Sequence, residues 1–246
     1  MAGALTVGEC LARLLAAVAH HREALARDTL PTIRNVLGVP VTERPEHRRD
    51  GVCAVDGAYF HDPPRIVVAA SESLRRRAFT AIHELAHHLL RGDFAFFFLA
   101  GDRLLEEEVC DRFAAEILLP TALAEQLLSV PVPTADDFAA LYENSHASRA
   151  VCARRVADAL PRLGHAVVAR GTAVTYCASA HTLFRAGYMT EQGDHSIFAD
   201  AVRRGGAAGM ARLLYQENVV SPLFQAEAVF REDHVFAVFI DPEETG

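Results

Sequence analysis

The sequence predicts an α+β protein in which helices and strands occupy separate stretches of the chain. Three observations carry this expectation. Helical periodicity covers most of the first 120 residues, one interlude of short β-branched runs interrupts it at residues 51–70, and strand-like runs prevail over residues 165–240. With 246 residues, 51% of them hydrophobic and 23% charged, the chain has the composition of a folded protein and the length for two or three domains.

Within residues 7–26, Leu11, Leu14, Leu15 and Val18 recur at helical spacing with charges on the opposite side, so an amphipathic helix is expected, and residues 30–37 read as its continuation. Residues 51–60 and 65–70 flank Asp62-Pro63-Pro64 and read as two strands joined by a turn. Ser71 or Ser73 can cap a helix that runs through Arg91, a cation suited to the negative C-terminal end, and stops at Gly92. Another helix spans about residues 104–119 and halts at Pro120. After a link at 130–133, two short helices at 135–142 and 147–160 are separated by Glu143-Asn144-Ser145, as a helix-turn-helix requires. Beyond Pro161 the expected strands are 165–170, 173–179, 223–230 and 234–240, with a helical piece near 199–214. The domain division that follows is 1–130, 131–162 and 163–246.

Charge and cysteine usage narrow the function. Against 32 acidic residues stand 24 basic ones, all arginine, so the net charge of -8 gives no overall attraction to phosphate backbones or anionic lipid. The apolar runs at 10–19, broken by Arg13, and at 94–101 are too short for a membrane span or secretory signal, which predicts a cytoplasmic protein. Cys10, Cys53, Cys110, Cys152 and Cys177 are odd in number, scattered and without a CxxC pair, and read as reduced apolar residues.

The segment that carries chemistry is FTAIHELAHHLL, residues 79–90. His83 and His87 lie four apart, so on a helix both imidazoles project from one face and can grip one divalent ion. Leu74, Ala78, Ile82, Leu85, Ala86 and Leu89 make this helix a buried one, and inward-pointing histidines then need a partner for their lone pairs. Zinc suits two imidazoles, with Mn2+ as the alternative ion. Glu84 sits beside the pair, placed to take a proton from a water that the ion acidifies. His88 points away from them.

HExxH also arises by chance, so the third ligand decides. The next helix offers Glu106, Glu107, Glu108, Asp111 and Glu116. Glu107, Asp111, Ala114 and Leu118 share one stripe, while Glu108 and Arg112 pair on a more polar one. Glu107 is therefore the preferred metal ligand, with Asp111 one turn on to accept the remaining N–H of a ligating imidazole, His83 first. Glu106, on the side of Val109, Cys110 and Phe113, remains the alternative.

FTAIHELAHHLLRGD followed by EEEVCDRFAAEILLP resembles the ImmA/IrrE family of metallo-endopeptidases, in which an FTxAHExxHxLL helix precedes a Glu-bearing helix ending in FAAxLLxP. The resemblance implies a zincin-like fold with a small mixed sheet, zinc on His83, His87 and Glu107, and Glu84 as catalytic base. Asp111 stands where the family commonly has Asn. The order of protease, helix-turn-helix-like segment and terminal α+β module is similar to the radiation and desiccation branch of the family, whose last domain is GAF-like. The run VVSPLFQAEAVFREDHVFAVFI fits the end of such a domain. For that branch the resemblance implies cleavage of a helix-turn-helix repressor, derepression of stress or DNA-damage genes, and a regulatory terminal domain open to a small-molecule or signal ligand.

Other features have two readings each. Strand 65–70 could pair with an extended target peptide or lie in the sheet interior. Tyr59 and His61 are candidates for a second oxyanion donor, with edge-strand packing as the preferred reading. Phe-Ala-Phe-Phe-Phe-Leu at 94–99 is read first as a core or interdomain plug and second as a target pocket. Arg149, Arg154, Arg155 and Arg162 favour a structural or target-docking helix over direct DNA binding. The competing function is a non-proteolytic DNA-binding or ligand-sensing regulator with a structural metal site.

Overall fold

The computed structural model describes residues 6–44, 57–70, 73–92, 103–161, 163–180, 190–192, 197–214 and 221–244. Contacts divide the chain into two units, Met1–Pro120 and Thr121–Gly246.

In the first unit a capping box starts α1 (Val7–Ala17): the Thr6 hydroxyl accepts from the Glu9 N–H at 3.2 Å and the Glu9 carboxylate accepts from the Thr6 N–H at 2.7 Å. The single helix expected over 7–26 breaks at Val18, where φ is -113°. A 3₁₀ turn follows, then α2 (Arg22–Arg27), a helical turn at Thr29–Pro31 and a π-turn at Thr32–Val36. The break lets the chain turn while Leu14, Val18 and Leu25 all remain buried.

A three-stranded sheet comes next, in the order β1 (Val41–Arg44), β3 (Pro64–Ala69), β2 (Gly57–His61). β1 pairs parallel with β3, and β2 pairs antiparallel with it. β1 went unread in the sequence because Val-Thr-Glu-Arg buries only Val41, and its pairing is supplied by β3. With a neighbour on each side, β3 has its ladder groups occupied, so of the two readings of strand 65–70 the interior strand is the one observed.

The long helix α3 (Leu74–Gly92) begins at Ser73, whose hydroxyl accepts from the Arg76 N–H at 3.3 Å. It packs against β2 and β3 and against α4 (Arg103–Leu118), which also touches α1 and α2. Ile82, Leu85 and Leu90 from α3 and Val109 and Phe113 from α4 are fully buried. Each large apolar side chain so buried contributes about 1.5–3 kcal/mol.

The second unit holds α5 (Thr121–Leu127), α6 (Ala135–Glu143), α7 (Arg149–Ala159), α8 (Ile197–Arg204) and a sheet in the order β5-β4-β9-β8-β7-β6. Its strands are β4 (His165–Arg170), β5 (Ala173–Ser179), β6 (Thr190–Gln192), β7 (Gly206–Leu214), β8 (Phe224–Arg231) and β9 (His234–Ile240), all paired antiparallel. Because side chains alternate along a strand, the sheet has two apolar faces. α6 covers one, with Phe138 and Tyr142 at 5.1 and 5.4 Å from the Phe236 ring. α8 covers the other, with Phe198 at 6.1 Å from Phe239. The pair α6–α7, read from sequence as a helix-turn-helix, thus packs on this sheet, α6 on β8 and β9 and α7 on β4 and β5.

The helical piece expected near 199–214 is corrected. α8 ends at Arg204, Gly205 takes a φ of +84°, and residues 206–214 form β7, paired with β8 on one side and β6 on the other. Ala, Met, Arg and Leu give the segment helical propensity, but two strand partners outweigh it.

His165 anchors β4, 2% exposed, with Nδ1 2.8 Å from Ser179 Oγ and its ring edge-on to Phe224 at 5.1 Å. Burial pushes the imidazole down from 6.5 to about 4. The unfolded chain therefore takes up this proton first as pH falls, so the stability contribution is complete above about 6.5, declines down to about 4 and is flat below. Denaturant unfolding of the wild type and His165→Gln at about pH 7 and about pH 4 should differ in their acid loss, on the order of 3 kcal/mol larger in the wild type.

Candidate metal centre

α3 sets His83 and His87 one turn apart, and their rings meet edge to face with centroids 5.0 Å apart. α4 supplies a carboxylate to each ring. His83 Nδ1 lies 2.8 Å from Asp111 Oδ1, and His87 Nδ1 lies 2.8 Å from Glu106 Oε1. A carboxylate accepts, so each Nδ1 carries the proton and each Nε2 presents a lone pair. Those two Nε2 atoms are 3.2 Å apart, and Glu107 brings Oε2 to 3.2 Å from His83 Nε2 and Oε1 to 3.9 Å from His87 Nε2.

Three electron-rich atoms therefore converge, each within 4.8 Å of the others. Unless a proton or a metal ion sits between them, these atoms repel one another. The edge of a tetrahedron built on zinc–nitrogen bonds is about 3.3 Å, which the two 3.2 Å separations match. The donor set of two imidazoles and one carboxylate fits zinc. The imidazole rings are largely buried, whereas the Glu107 side chain is 42% exposed, so one side of the cluster is open to solvent.

Electrostatics around the pair are strongly acidic. Burial pulls the His83 imidazole down, but the hydrogen bond to Asp111, with Glu84 and Glu107, outweighs it and leaves the net shift upward. Glu84 is 8% exposed, and burial raises its carboxyl above the usual range against the opposing pull of His83, His87 and the Tyr59 backbone N–H. Such a carboxylate is a better base than a solvated one. Cys110, fully buried beneath Glu106, Glu107 and Asp111, has its thiol pushed far up by burial and by those charges, so it offers no thiolate.

The remaining sequence candidates are placed as follows. His88 turns away from the pair and meets the Tyr59 hydroxyl, Nδ1 to Oη at 3.1 Å, with its ring edge-on to Tyr59 at 5.4 Å. His61 lies exposed at the end of β2. Glu108 and Arg112 form a surface ion pair. Residues 94–99 and Arg162 lie outside the described residues. Arg154 donates to Asp158 and to the Ser179 carbonyl, and the Arg149 guanidinium lies over the Tyr142 ring at 5.0 Å.

Sequence reasoning weighed Glu106 only as an alternative ligand and missed it as the partner of His87. The signal was available: each ligating imidazole leaves one N–H to be satisfied, and the EEExxD run has two acids, Glu106 and Glu108, beyond the ligand and Asp111.

Glu107→Ala is expected to lose the metal in elemental analysis. Glu106→Ala and Asp111→Ala should each weaken zinc binding about 10–100-fold in chelator competition. Glu108→Ala should leave it unchanged.

Residues 34–154 match the family described as the IrrE N-terminal-like domain, Peptidase_M78. The chain is 32% identical over 152 residues to the radiation response metalloprotease IrrE of Deinococcus deserti, which covers 55% of this chain and 51% of that protein. It thus spans about half the length of that relative. A transcriptional regulator of Mycobacterium tuberculosis of known structure aligns over 96% of this chain and 75% of its own, at TM-score 0.49 and 12% identity. Residues 34–154 of the chain thus form a domain of the ImmA/IrrE family.

Proposed function

We propose that this protein is a zinc endopeptidase that cleaves a helix-turn-helix transcriptional repressor and so derepresses stress or DNA-damage response genes. The observation that carries the reading is the convergence of His83 Nε2, His87 Nε2 and Glu107 beside the buried carboxylate of Glu84. In this reading His83, His87 and Glu107 hold zinc, or Mn2+ in its place, while Asp111 and Glu106 orient the rings.

When bound, the ion supplies Lewis acidity, which polarises a peptide carbonyl and acidifies water. The residues of the chain do the rest. Glu84 takes a proton from the attacking water and passes it to the leaving amine, so the same carboxyl serves as base and then as acid. Its elevated proton affinity suits both steps. The target peptide lies extended beside β2, the strand of this sheet nearest Glu84, whose outer edge also carries the Tyr59 N–H that Glu84 accepts from.

The reading extends to the domain plan of 1–130 as a zincin-like peptidase, 131–162 as a helix-turn-helix-like segment and 163–246 as a GAF-like module. The order of the six strands, with helices on both faces, supports the last of these. A small molecule or signal bound there would regulate the peptidase. No helix among the described residues is long and apolar enough to cross a membrane, which is compatible with work in the cytoplasm. Direct DNA binding by α7 is not favoured, since Arg149 and Arg154 are engaged within their own unit.

The test is incubation of the purified protein with a helix-turn-helix repressor encoded beside it, with and without chelator, followed by mass spectrometry of the products. Cleavage should require metal. Glu84→Gln should retain zinc and lower the cleavage rate by at least about 10²–10⁴-fold. Unchanged cleavage by that variant would rule out the mechanism.

A further inference from the structure

Strand β2 passes α3 so closely that Gly57 has no space for a side chain. A Cβ there would lie 2.4 Å from Thr80 Cγ2, 3.2 Å from Glu84 Cγ and 3.3 Å from Glu84 Oε1. Thr80 and Glu84 are one helical turn apart, so α3 turns the same face to the strand at both points. Two residues along β2, the Tyr59 backbone N–H donates to the Glu84 carboxylate.

The register of the sheet explains why that N–H is free to do so. Tyr59 pairs with Ile66 on β3, and the Ile66 N–H turns the other way, to the Pro40 carbonyl at 2.8 Å. In an antiparallel ladder such a pair has its backbone groups directed away from each other. The Tyr59 N–H therefore points off the outer edge of β2, where Glu84 meets it. Ala58, opposite Val67, occupies the alternate position and points inward.

Resting on the peptidase reading, we propose that the edge of β2, through the missing side chain of Gly57 and the backbone amide of Tyr59, is the seat that fixes the Glu84 carboxylate for proton transfer. A glutamate has three side-chain rotors, and an unheld carboxylate samples positions remote from the reacting water. The amide holds one oxygen by a charge-assisted hydrogen bond. Glycine lets the strand come near enough for that bond to form. Gly57 and Tyr59 are thus positioning residues that act through Glu84, and their effect should fall on turnover rather than on substrate or metal binding.

Two measurements test this. The first is residue-level amide exchange on the metal-free protein, which needs no substrate. Glu84→Ala should speed exchange at Tyr59 by about tenfold or more while leaving Ala58 unchanged. An unchanged Tyr59 rate overturns the proposal. The second uses Gly57→Ala, Thr80→Ser and the double variant. Gly57→Ala should lower Tm through its clash with Thr80 Cγ2, and Thr80→Ser removes that methyl, so the double variant regains Tm. The added Cβ still presses on Glu84. The double variant should therefore keep its zinc content and its KM for the repressor, yet lose about tenfold in kcat and show the faster Tyr59 exchange. Wild-type kcat or wild-type Tyr59 exchange in that variant overturns the seat. If the wild-type protein cleaves no repressor, the peptidase reading fails, and the exchange experiment still decides the seat by itself.

Discussion

The site depends on one packing contact, the seam between α3 and α4. Ile82, Leu85 and Ala86 on one helix and Val109, Cys110 and Phe113 on the other are buried, and this apolar closure sets the rotation of α4 about its axis. That rotation determines which acids reach which imidazole. Glu107 and Asp111, one turn apart, meet the two nitrogens of His83, while Glu106, about 100° further round, meets His87. A shift of one residue in the seam would remove all three contacts together. The precision of the polar cluster is thus inherited from apolar packing, which is dense and tolerates little rearrangement.

The same cluster carries an electrostatic cost. Glu84, Glu106, Glu107 and Asp111 gather around two imidazoles, an excess of negative charge that a divalent cation relieves. Hydrogen bonding from Nδ1 to Asp111 and Glu106 fixes both Nε2 lone pairs inward, which strengthens the attraction for a cation and excludes the alternative tautomers. Glu84 is set apart from the others by burial. Its Oε1 lies beside Gly57, and Glu84 is not among the three residues whose ligand atoms converge.

The second unit achieves order by different means. Its sheet buries two faces, which α6 and α8 cover with aromatic contacts centred on Phe236 and Phe239, while α7 packs on β4 and β5. Arg154 ties α7 to β5 through the Ser179 carbonyl, and Ser179 in turn holds His165. Arg149 and Arg154, which in isolation suggest a nucleic-acid surface, make contacts within their own unit.

Local pattern determined the elements whose signal is complete within the chain itself: the helix carrying His83 and His87, the acidic helix ending before Pro120, and strands such as 165–170 and 234–240 with their own continuous apolar runs. The ligand spacing belongs to this class, because four residues on a helix bring two side chains to one face whatever surrounds them. Tertiary structure decided the rest. β1 and β7 exist because a neighbouring strand completes their hydrogen bonds, against weak alternation in one and helical propensity in the other. The interior position of β3, the approach of Glu106 to His87 and the closeness of Gly57 to Glu84 each join residues far apart in the chain. Such contacts are fixed by the rotation and register of packed elements, and no periodicity within either partner encodes them.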